Sequence, residues 1–340
     1  MKPENTSGVI AAGNFIVDHV KIIDEYPVQD HLALVRSQTR NSGGGPFNLL
    51  TNLAALGVAY PLRAVGSLGD DADGEWIVHR CSQLGIDTEG FSQAALATTS
   101  WTDVMSVSAT GRRTFFHYPG ANAHLGLSDL QFQTSNARIF YLAYLNMLDA
   151  MDAFGADGRT AASHVFERAS NAGMITIADL VSRNQPKFRD VVTASAPFLD
   201  YLLLNELEAG WILNRSLTGA DLTAQNLGRA ARDILSLGVR QAVVLHFEHG
   251  AVYAAKNGDQ IAQPAVRLPE TMIRSKLGAG DAFAAGFVHS LHDTRDAPEC
   301  IRTAVCTAAA CLTDPSSSGG IRPLDDCLTL GDTYAFHEFN

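Results

Sequence analysis

From about residue 137 onward, short apolar runs alternate with segments of helical periodicity, and this alternation restricts the fold more than any other feature. The apolar runs start at Ile139, Ile175, Tyr201 and Ala242. Continuously apolar strands separated by helices form a mostly parallel sheet that the helices cover on both faces. The sequence therefore predicts an α/β fold, and the ligand site of such a sheet lies beyond the carboxyl ends of its strands.

Several polar residues fall at these predicted strand ends. Asp18 comes just past a first apolar run, Val9 to Phe15, and four further residues lie at the ends of later runs: Asp179, Asn205, Glu208 and His246. The carboxyl ends of parallel strands share one edge of the sheet. We therefore expect these side chains to gather around an active site.

Two extended segments stand outside the alternation. Residues 31–39 are polar and partly alternating, and residues 102–118 indicate a hairpin that turns at Thr110-Gly111. We interpret these segments as a small β-sheet lid, contributed by residues of about 19–42 and 98–120, on a single domain spanning 1–340. Because exposed strand edges are often protected by pairing between subunits, we expect a homodimer formed through the lid.

The segment Gly278-Ala279-Gly280-Asp281 leads into an apolar run that predicts a buried helix. A glycine-rich turn entering a helix presents backbone N–H groups and the positive end of the helix dipole to one point, which favours an anion there. A carboxylate beside that point is explained if the anion is a phosphoryl group in transit and Asp281 takes the proton of the attacking hydroxyl. The alternative is that Asp281 only caps the helix and the glycines only permit the turn.

A second glycine-rich segment, Gly43-Gly44-Gly45-Pro46, precedes an apolar run with helical spacing. Glycines there let the backbone approach a ligand closely, and a proline suits the first turn of a helix. The helix is predicted to continue to Leu56 and to end at Gly57.

The composition narrows the function classes. A formal charge of −11 and the lack of a Lys/Arg-rich run argue against nucleic acid or an anionic membrane as the main partner. The N-terminus has no apolar signal-peptide core, and five cysteines without a C-x-x-C pair fit reduced, packed thiols. No P-loop motif occurs, and a dinucleotide fingerprint would need a third glycine where Phe283 stands. We expect a cytoplasmic enzyme.

Four motifs in order resemble those of the ribokinase-like (PfkB-type) family of sugar and nucleoside kinases, over nearly the full length of the chain. They are Gly13-Asn14-Phe15-Ile16-Val17-Asp18; Gly43-Gly44-Gly45-Pro46-Phe47-Asn48, followed by Val65-Gly66 and Gly69-Asp70-Asp71; Asn205-x-x-Glu208; and Gly278-Ala279-Gly280-Asp281-Ala282-Phe283. The hairpin end at Tyr118 to Ala123 is also similar to the family's lid region. The resemblance implies a three-layer sandwich with a mostly parallel central sheet and a β-sheet lid.

The resemblance further implies a kinase that uses ATP and Mg²⁺ to phosphorylate a hydroxyl of a sugar or polyol. Asp281 would be the base, and the N–H groups of Gly278, Ala279 and Gly280 would form the anion hole. The residues implied around the substrate are Asn14, Asp18, Gly44, Gly45, Asn48 and Asn122. Those implied around the nucleotide are Asn205, His246, Gly250 and Lys276, with Glu208 holding Mg²⁺ through water.

The sequence departs from the family pattern beside its glycine turn. Ser275 and Lys276 stand where the family has Asp-Thr, and in related enzymes that Asp helps to bind a monovalent cation. Dependence on a monovalent cation is therefore in doubt, and we expect the Lys276 ammonium to substitute partly for it near the phosphates. His246 takes the place of the threonine in the family's T-x-G, which leaves the nucleotide preference open.

Other interpretations remain. A nucleoside kinase could stack Phe15, Phe116 or Tyr118 on a base. A phosphosugar kinase would use lid arginines, although such arginines are more often solvent-exposed charges: Arg36, Arg40, Arg112 and Arg113. The changes at 275 and 276 also fit a catalytically silent ligand-binding relative. Simple structural roles compete as well, namely a first-turn helix carboxylate for Glu208, a helix start for Asn48 and a turn for Asp18.

Overall fold

In a computed structural model that describes residues 6–95, 97–130, 136–183 and 185–339, the described residues form two separate β-sheets. The expectation about a signal peptide concerns in part residues 1–5, which lie outside this range. The strands are β1 (Val9–Gly13), β2 (Ile16–Ile23), β3 (Val35–Gly43), β4 (Leu62–Leu68), β5 (Asp87–Gln93), β6 (Trp101–Val107), β7 (Arg113–Tyr118), β8 (Ile139–Leu145), β9 (Ile175–Leu180), β10 (Tyr201–Asn205), β11 (Ala242–Phe247), β12 (Gly250–Ala255) and β13 (Gln260–Pro264).

The larger sheet confirms the predicted mostly parallel arrangement. Its nine strands among the described residues run in the order β13-β12-β11-β10-β9-β8-β1-β4-β5. All neighbouring pairs from β11 to β5 are parallel, and β12 and β13 add an antiparallel edge. This topology directs the ends of β8, β9, β10 and β11 to one edge.

Helices cover both faces of this sheet. They are α1 (Gly45–Leu56), α2 (Ala72–Gln83), α3 (Asp149–Asp152), α4 (Ala161–Asn171), α5 (Phe188–Ser195), α6 (Glu206–Leu213), α7 (Ala224–Leu235), α8 (Ala279–His292), α9 (Ala297–Cys311) and α10 (Leu324–Thr333), with short 3₁₀ turns at Gly120–His124, Ala196–Phe198, Gly219–Asp221 and Glu270–Met272. Alternate residues of β1 enter two different apolar cores, one shared with α1, α8 and α9 and the other with α4 and α7. The fold is therefore a three-layer sandwich.

The helix start and stop signals of α1 act as predicted. Gly44 is the N-cap residue, Pro46 lies in the first turn, and Gly57 ends the helix with a φ of 81°. The Gly57 amide donates to the carbonyl oxygen of Ala54, 3.1 Å away, which satisfies a backbone group that the end of the helix would otherwise leave free.

The smaller sheet is the lid, with strand order β3-β2-β6-β7. The predicted hairpin is confirmed as β6 and β7, which pair antiparallel. Two boundaries were predicted wrongly. The first strand ends at Gly13, whose φ of 122° turns the chain out of the large sheet, so Asp18 lies within lid strand β2 rather than at a strand end. Strand β3 starts only at Val35, and residues 31–34 of the predicted extended segment precede it.

Two further findings concern the chain as a whole. All five cysteines are buried and unpaired, as predicted. Within the part of the chain that the structure describes, none of the helices is long and apolar enough to span a bilayer.

Candidate active site

Asp281 lies in the first turn of α8, buried, with both carboxylate oxygens bonded to other parts of the fold. Asn48 Nδ2 of α1 donates to Oδ2 and the Tyr144 hydroxyl of β8 donates to Oδ1, each at 2.8 Å. Burial raises the pKa of Asp281 to about 6, while the two hydrogen bonds act to lower it. Gly278, not Asp281, is the N-cap residue of α8, so a purely capping role for Asp281 is wrong.

The turn before Asp281 has the geometry of an anion site. Gly278 adopts a φ of 77°, and a Cβ there would overlap the carbonyl oxygen of Ser317, so this position requires glycine. Ala279 and Gly280 begin α8, where backbone N–H groups have no acceptor within the helix and the helix dipole is positive. The turn can therefore hold a phosphate-sized anion directly beside the Asp281 carboxylate.

A second carboxylate approaches Asp281 from the lid. Asp18 pairs with Asn41 of β3 and Thr102 of β6 across the lid sheet. Burial, opposed by a hydrogen bond to Thr102 and aided by the negative charge of Asp281, raises the pKa of Asp18 to about 7. The influence of the Asp281 charge on Asp18 indicates that the two carboxylates are near each other. Asp18 lies inside strand β2, which excludes a simple turn role for this residue.

The glycines of the Gly43–Gly45 segment bring these elements together. A Cβ on Gly43 would overlap the Asp18 carboxylate, and one on Gly44 would overlap the backbone oxygen of Asn14. A Cβ on Gly45 would lie 2.8 Å from the Tyr144 ring. These glycines therefore allow close contacts within the protein that set the start of α1 against β8 and the lid, and the predicted approach to a ligand stays a prediction.

Two buried amides near this junction retain free hydrogen-bonding capacity. Asn14 is fully buried, and neither its Oδ1 nor its Nδ2 has a hydrogen-bond partner among the residues that the structure describes. Asn122 donates from Nδ2 to the Phe15 carbonyl oxygen at 3.0 Å, and its Oδ1 has no partner within the described part of the chain. Buried polar atoms are rarely left unsatisfied, so both amides are suited to a polar ligand or water. The Phe15 ring itself packs in the core between Phe47 and Phe91, which makes its predicted stacking on a base wrong.

A cavity of about 870 Å³ adjoins the glycine turn. Ala279 and Gly280 contribute to its wall, together with apolar residues of α8, α9 and the segment before α8: Phe283, Val305, Ala308, Ala309, Leu312, Val266, Leu268 and Ile273. Its volume is in the range of pockets that bind small molecules and cofactors. The cavity thus adjoins Gly280, the residue that precedes Asp281.

Three of the predicted nucleotide residues line this cavity: His246, Gly250 and Lys276. The His246 ring packs 4.9 Å from that of Phe283, and burial lowers the pKa of His246 to about 4, which keeps it neutral. Lys276 pairs with Glu248 at 2.6 Å, and both side chains are largely exposed. The ammonium is therefore at the mouth of the cavity with a carboxylate partner.

Asn205 and Glu208 form a complete capping box at the start of α6. Asn205 Oδ1 accepts from the Glu208 amide, and Glu208 Oε2 accepts from the Asn205 amide. Glu208 Oε1 also accepts from Asn205 Nδ2 and from the Ser182 hydroxyl. Burial raises the pKa of Glu208 to about 7. The first-turn helix role proposed for Glu208 is therefore present. Its capping partner Asn205 lies opposite His246 of the neighbouring strand β11.

Sequence reasoning missed two residues that hold the site together. Tyr144 bonds Asp281, and Ser317 donates from Oγ to Asn48 Oδ1 at 3.2 Å. A tyrosine in an apolar strand is a usable signal, since a buried hydroxyl needs a partner. Ser317 lies in a serine-rich loop that offers no comparable signal. Of the four lid arginines, Arg36 pairs with Asp24 and Arg40 pairs with Asp73 of α2. Arg113 instead reaches the segment just before the glycine turn, where it bonds Ser275.

The sequence matches the family described as pfkB family carbohydrate kinase over residues 9–323. The chain therefore belongs to the pfkB family of carbohydrate kinases, which are phosphotransferases with a hydroxyl group as acceptor, and it is a sugar kinase.

Individual relatives are distant. A 5-dehydro-2-deoxygluconokinase of Clostridium perfringens is 22% identical over 308 residues, covering 87% of this chain and 86% of the relative. A ribokinase of Arabidopsis thaliana is 23% identical, covering 89% and 76%. An ATP-dependent ribose-1-phosphate kinase of Halopiger xanaduensis is 26% identical, covering 82% and 83%.

Solved structures share the fold over almost the whole chain. Arabidopsis thaliana ribokinase, complexed with ribose and ATP, superposes with a TM-score of 0.78 at 20% identity, covering 96% of this chain and 99% of its own. A nucleoside kinase of Methanocaldococcus jannaschii superposes with a TM-score of 0.72 at 14% identity, covering 96% and 98%. These likenesses confirm the ribokinase-like sandwich with its lid.

Proposed function

We propose that this sugar kinase transfers the γ-phosphoryl group of ATP to a hydroxyl of a sugar or polyol, with Asp281 as the base. One observation carries the proposal: the carboxylate of Asp281 and the amides of the Gly278–Gly280 turn adjoin each other between a cavity and the lid. Phosphoryl transfer needs mainly positioning and electrostatic stabilisation, which such a turn supplies. The raised pKa of Asp281, about 6, suits a base working near neutral pH.

The 870 Å³ cavity is the proposed nucleotide site. Its apolar wall suits a purine base, and the Ala279 and Gly280 amides lie at the end where phosphates would meet α8. A solved structural neighbour of this fold, a putative ribokinase II of E. coli, is described in complex with ATP and Mg²⁺. Asn205 and His246, at the ends of β10 and β11, would lie near the phosphates of the nucleotide. Gly250 and Lys276 would contact the nucleotide from the cavity wall.

The residues at the start of α6 fit Mg²⁺ held through water. Mg²⁺ prefers oxygen ligands and keeps several of its waters. Glu208 already accepts three hydrogen bonds within the protein, which leaves it suited to bonding a metal-bound water rather than to direct ligation. The ion, when bound, would neutralise charge on the phosphates.

The acceptor site is proposed beneath the lid. Asp18 and Asn48 provide a carboxylate and an amide for vicinal hydroxyls, and Asn14 and Asn122 provide the unpartnered amide atoms described above. Gly44 and Gly45 shape this wall. The relatives named for sugars and sugar derivatives support a carbohydrate of this kind as acceptor.

The direct test is a coupled ADP-release assay of the wild type across sugars, polyols, sugar phosphates and nucleosides, repeated with Asp281→Asn. We expect turnover on one carbohydrate class, and a fall in kcat of about 10²–10⁴-fold in the variant because general-base assistance is lost. Asp293→Asn, at the opposite end of the same helix, is the matched control and keeps wild-type kcat. Asp281→Asn turning over at the wild-type rate would falsify the role of Asp281.

A further inference from the structure

Arg113, the first residue of lid strand β7, reaches across to the core. Its Nη1 donates to Ser275 Oγ at 2.9 Å and its Nη2 donates to the Pro315 carbonyl oxygen at 3.0 Å. Its neighbour Arg112 is exposed. Two adjacent arginines of one lid turn therefore differ in placement: one faces solvent, and the other fastens the lid to the sandwich.

The two acceptors of Arg113 belong to the loops that frame the glycine turn. Ser275 Oγ accepts from the Leu277 amide at 2.9 Å, which shapes the approach to Gly278. Pro315 is two residues from Ser317, whose carbonyl oxygen packs against Gly278 and whose hydroxyl bonds Asn48. A movement of either loop would therefore displace the glycine turn itself or the Ser317 contacts that pack against it.

The charge of Arg113 is not neutralised by these contacts. Both acceptors are neutral, and among the described residues no carboxylate lies within ion-pair distance of the guanidinium. The Arg113 charge does act on Asp18, whose ionised form it favours. A half-buried guanidinium, held by a hydroxyl and a carbonyl oxygen, thus links the lid to the two loops that frame the glycine turn.

We propose that Arg113 is a positioning residue that couples the lid to the Gly278–Asp281 turn. Through Ser275 and Pro315 it holds both framing loops when the lid lies on the core, so the anion hole takes its geometry only in the lid-closed state. The kinetic consequence rests on the proposed function, whereas the mechanical coupling does not.

Hydrogen exchange tests the coupling without any substrate. Arg113→Gln is compared with Arg112→Gln and Arg113→Lys, all as full-length protein. We expect exchange over residues 274–280 and 313–319 to be at least about threefold faster in Arg113→Gln, unchanged in Arg112→Gln, and intermediate in Arg113→Lys, which retains a charge but loses the forked donors. Equal exchange in Arg113→Gln and wild type would overturn the proposal.

Kinetics separate positioning from substrate binding. We expect kcat of Arg113→Gln to fall about 10–100-fold with the acceptor KM within about threefold, the pattern of an interaction realised in the transition state. Ser275→Ala combined with Arg113→Gln should be no slower than the slower single variant, because the two act through one contact. A raised acceptor KM at unchanged kcat, or independent multiplication of the two effects, would refute the coupling. If the wild type turns over no acceptor, the proposed function fails and the exchange data alone decide this inference.

Discussion

The position of Asp281 depends on two side chains from elements remote in the sequence. Asn48 comes from the helix after the first glycine segment, and Tyr144 comes from strand β8. Both donate to the carboxylate, so both stabilise its ionised form against a burial that favours the neutral form. The activity of this base at a given pH is therefore set by neighbours as much as by its burial.

Tyr144→Phe should move the acid limb of the pH–kcat profile to higher pH. The base works when ionised, and its pKa is about 6, so activity falls as pH drops through this value. Loss of the Tyr144 hydrogen bond removes about 1.5–3 kcal/mol from the ionised form. Because 1.36 kcal/mol corresponds to one pKa unit, the limb moves upward by about one pH unit or more, and kcat recovers above about pH 8.

Tyr141→Phe is the matched control for this experiment. Tyr141 lies on the same strand but donates to Asp179, 2.5 Å away. Burial holds the pKa of Asp179 well above its usual range, and losing the Tyr141 bond would raise it further. Because the Tyr141 hydroxyl bonds Asp179 rather than Asp281, we expect the limb of Tyr141→Phe to remain at the wild-type pH. Equal profiles for Tyr144→Phe and wild type would contradict the role of Tyr144.

At the scale of secondary-structure elements, the sequence best predicted those boundaries that local backbone chemistry determines. The Gly-Pro start and glycine end of α1 were predictable because they follow from backbone geometry. The end of β1 was not, since Phe15 continues the apolar run and only the turn at Gly13 directs the chain into the lid. Likewise Arg112 and Arg113 are chemically identical in sequence, and only the pairing of β6 with β7 decides which one points to the core.

The turn at Ser275–Asp281 predicts a weak response to potassium. Ser275 offers a hydroxyl, already bonded to Arg113 and Leu277, where related enzymes have an Asp that helps to bind the cation. The exposed Lys276–Glu248 pair is worth only about 0–1 kcal/mol, so the ammonium can exchange its partner for a phosphate. We expect kcat in potassium and in tetramethylammonium salts to agree within about twofold.

Variants of this ion pair test the assignment of Lys276. Lys276→Ala should raise the nucleotide KM and acquire stimulation by potassium, whereas Glu248→Gln, which frees the ammonium, should leave the nucleotide KM equal or lower. The hypothesis would be wrong if potassium strongly stimulated the wild type while Lys276→Ala kept full activity.

At the scale of the whole molecule, the lid leaves one edge poorly protected. Strand β3 at the first edge carries Arg36 and Arg40, and such charges discourage pairing with another strand. Strand β7 at the other edge exposes large aromatic residues, with Phe115 53% and Phe116 49% accessible. An apolar free edge of this kind is covered in many proteins by a second subunit.

We therefore expect a homodimer that pairs through β7. Light scattering coupled to size exclusion should give twice the 36.4 kDa mass of the chain at micromolar concentration. Phe116→Lys should shift the protein to monomer, because a charged side chain on the edge opposes strand addition. Phe154→Lys, at an exposed aromatic outside the lid, is the matched control and stays dimeric. A monomeric wild type, or a dimer that Phe116→Lys leaves intact, would show that the β7 edge is not the interface.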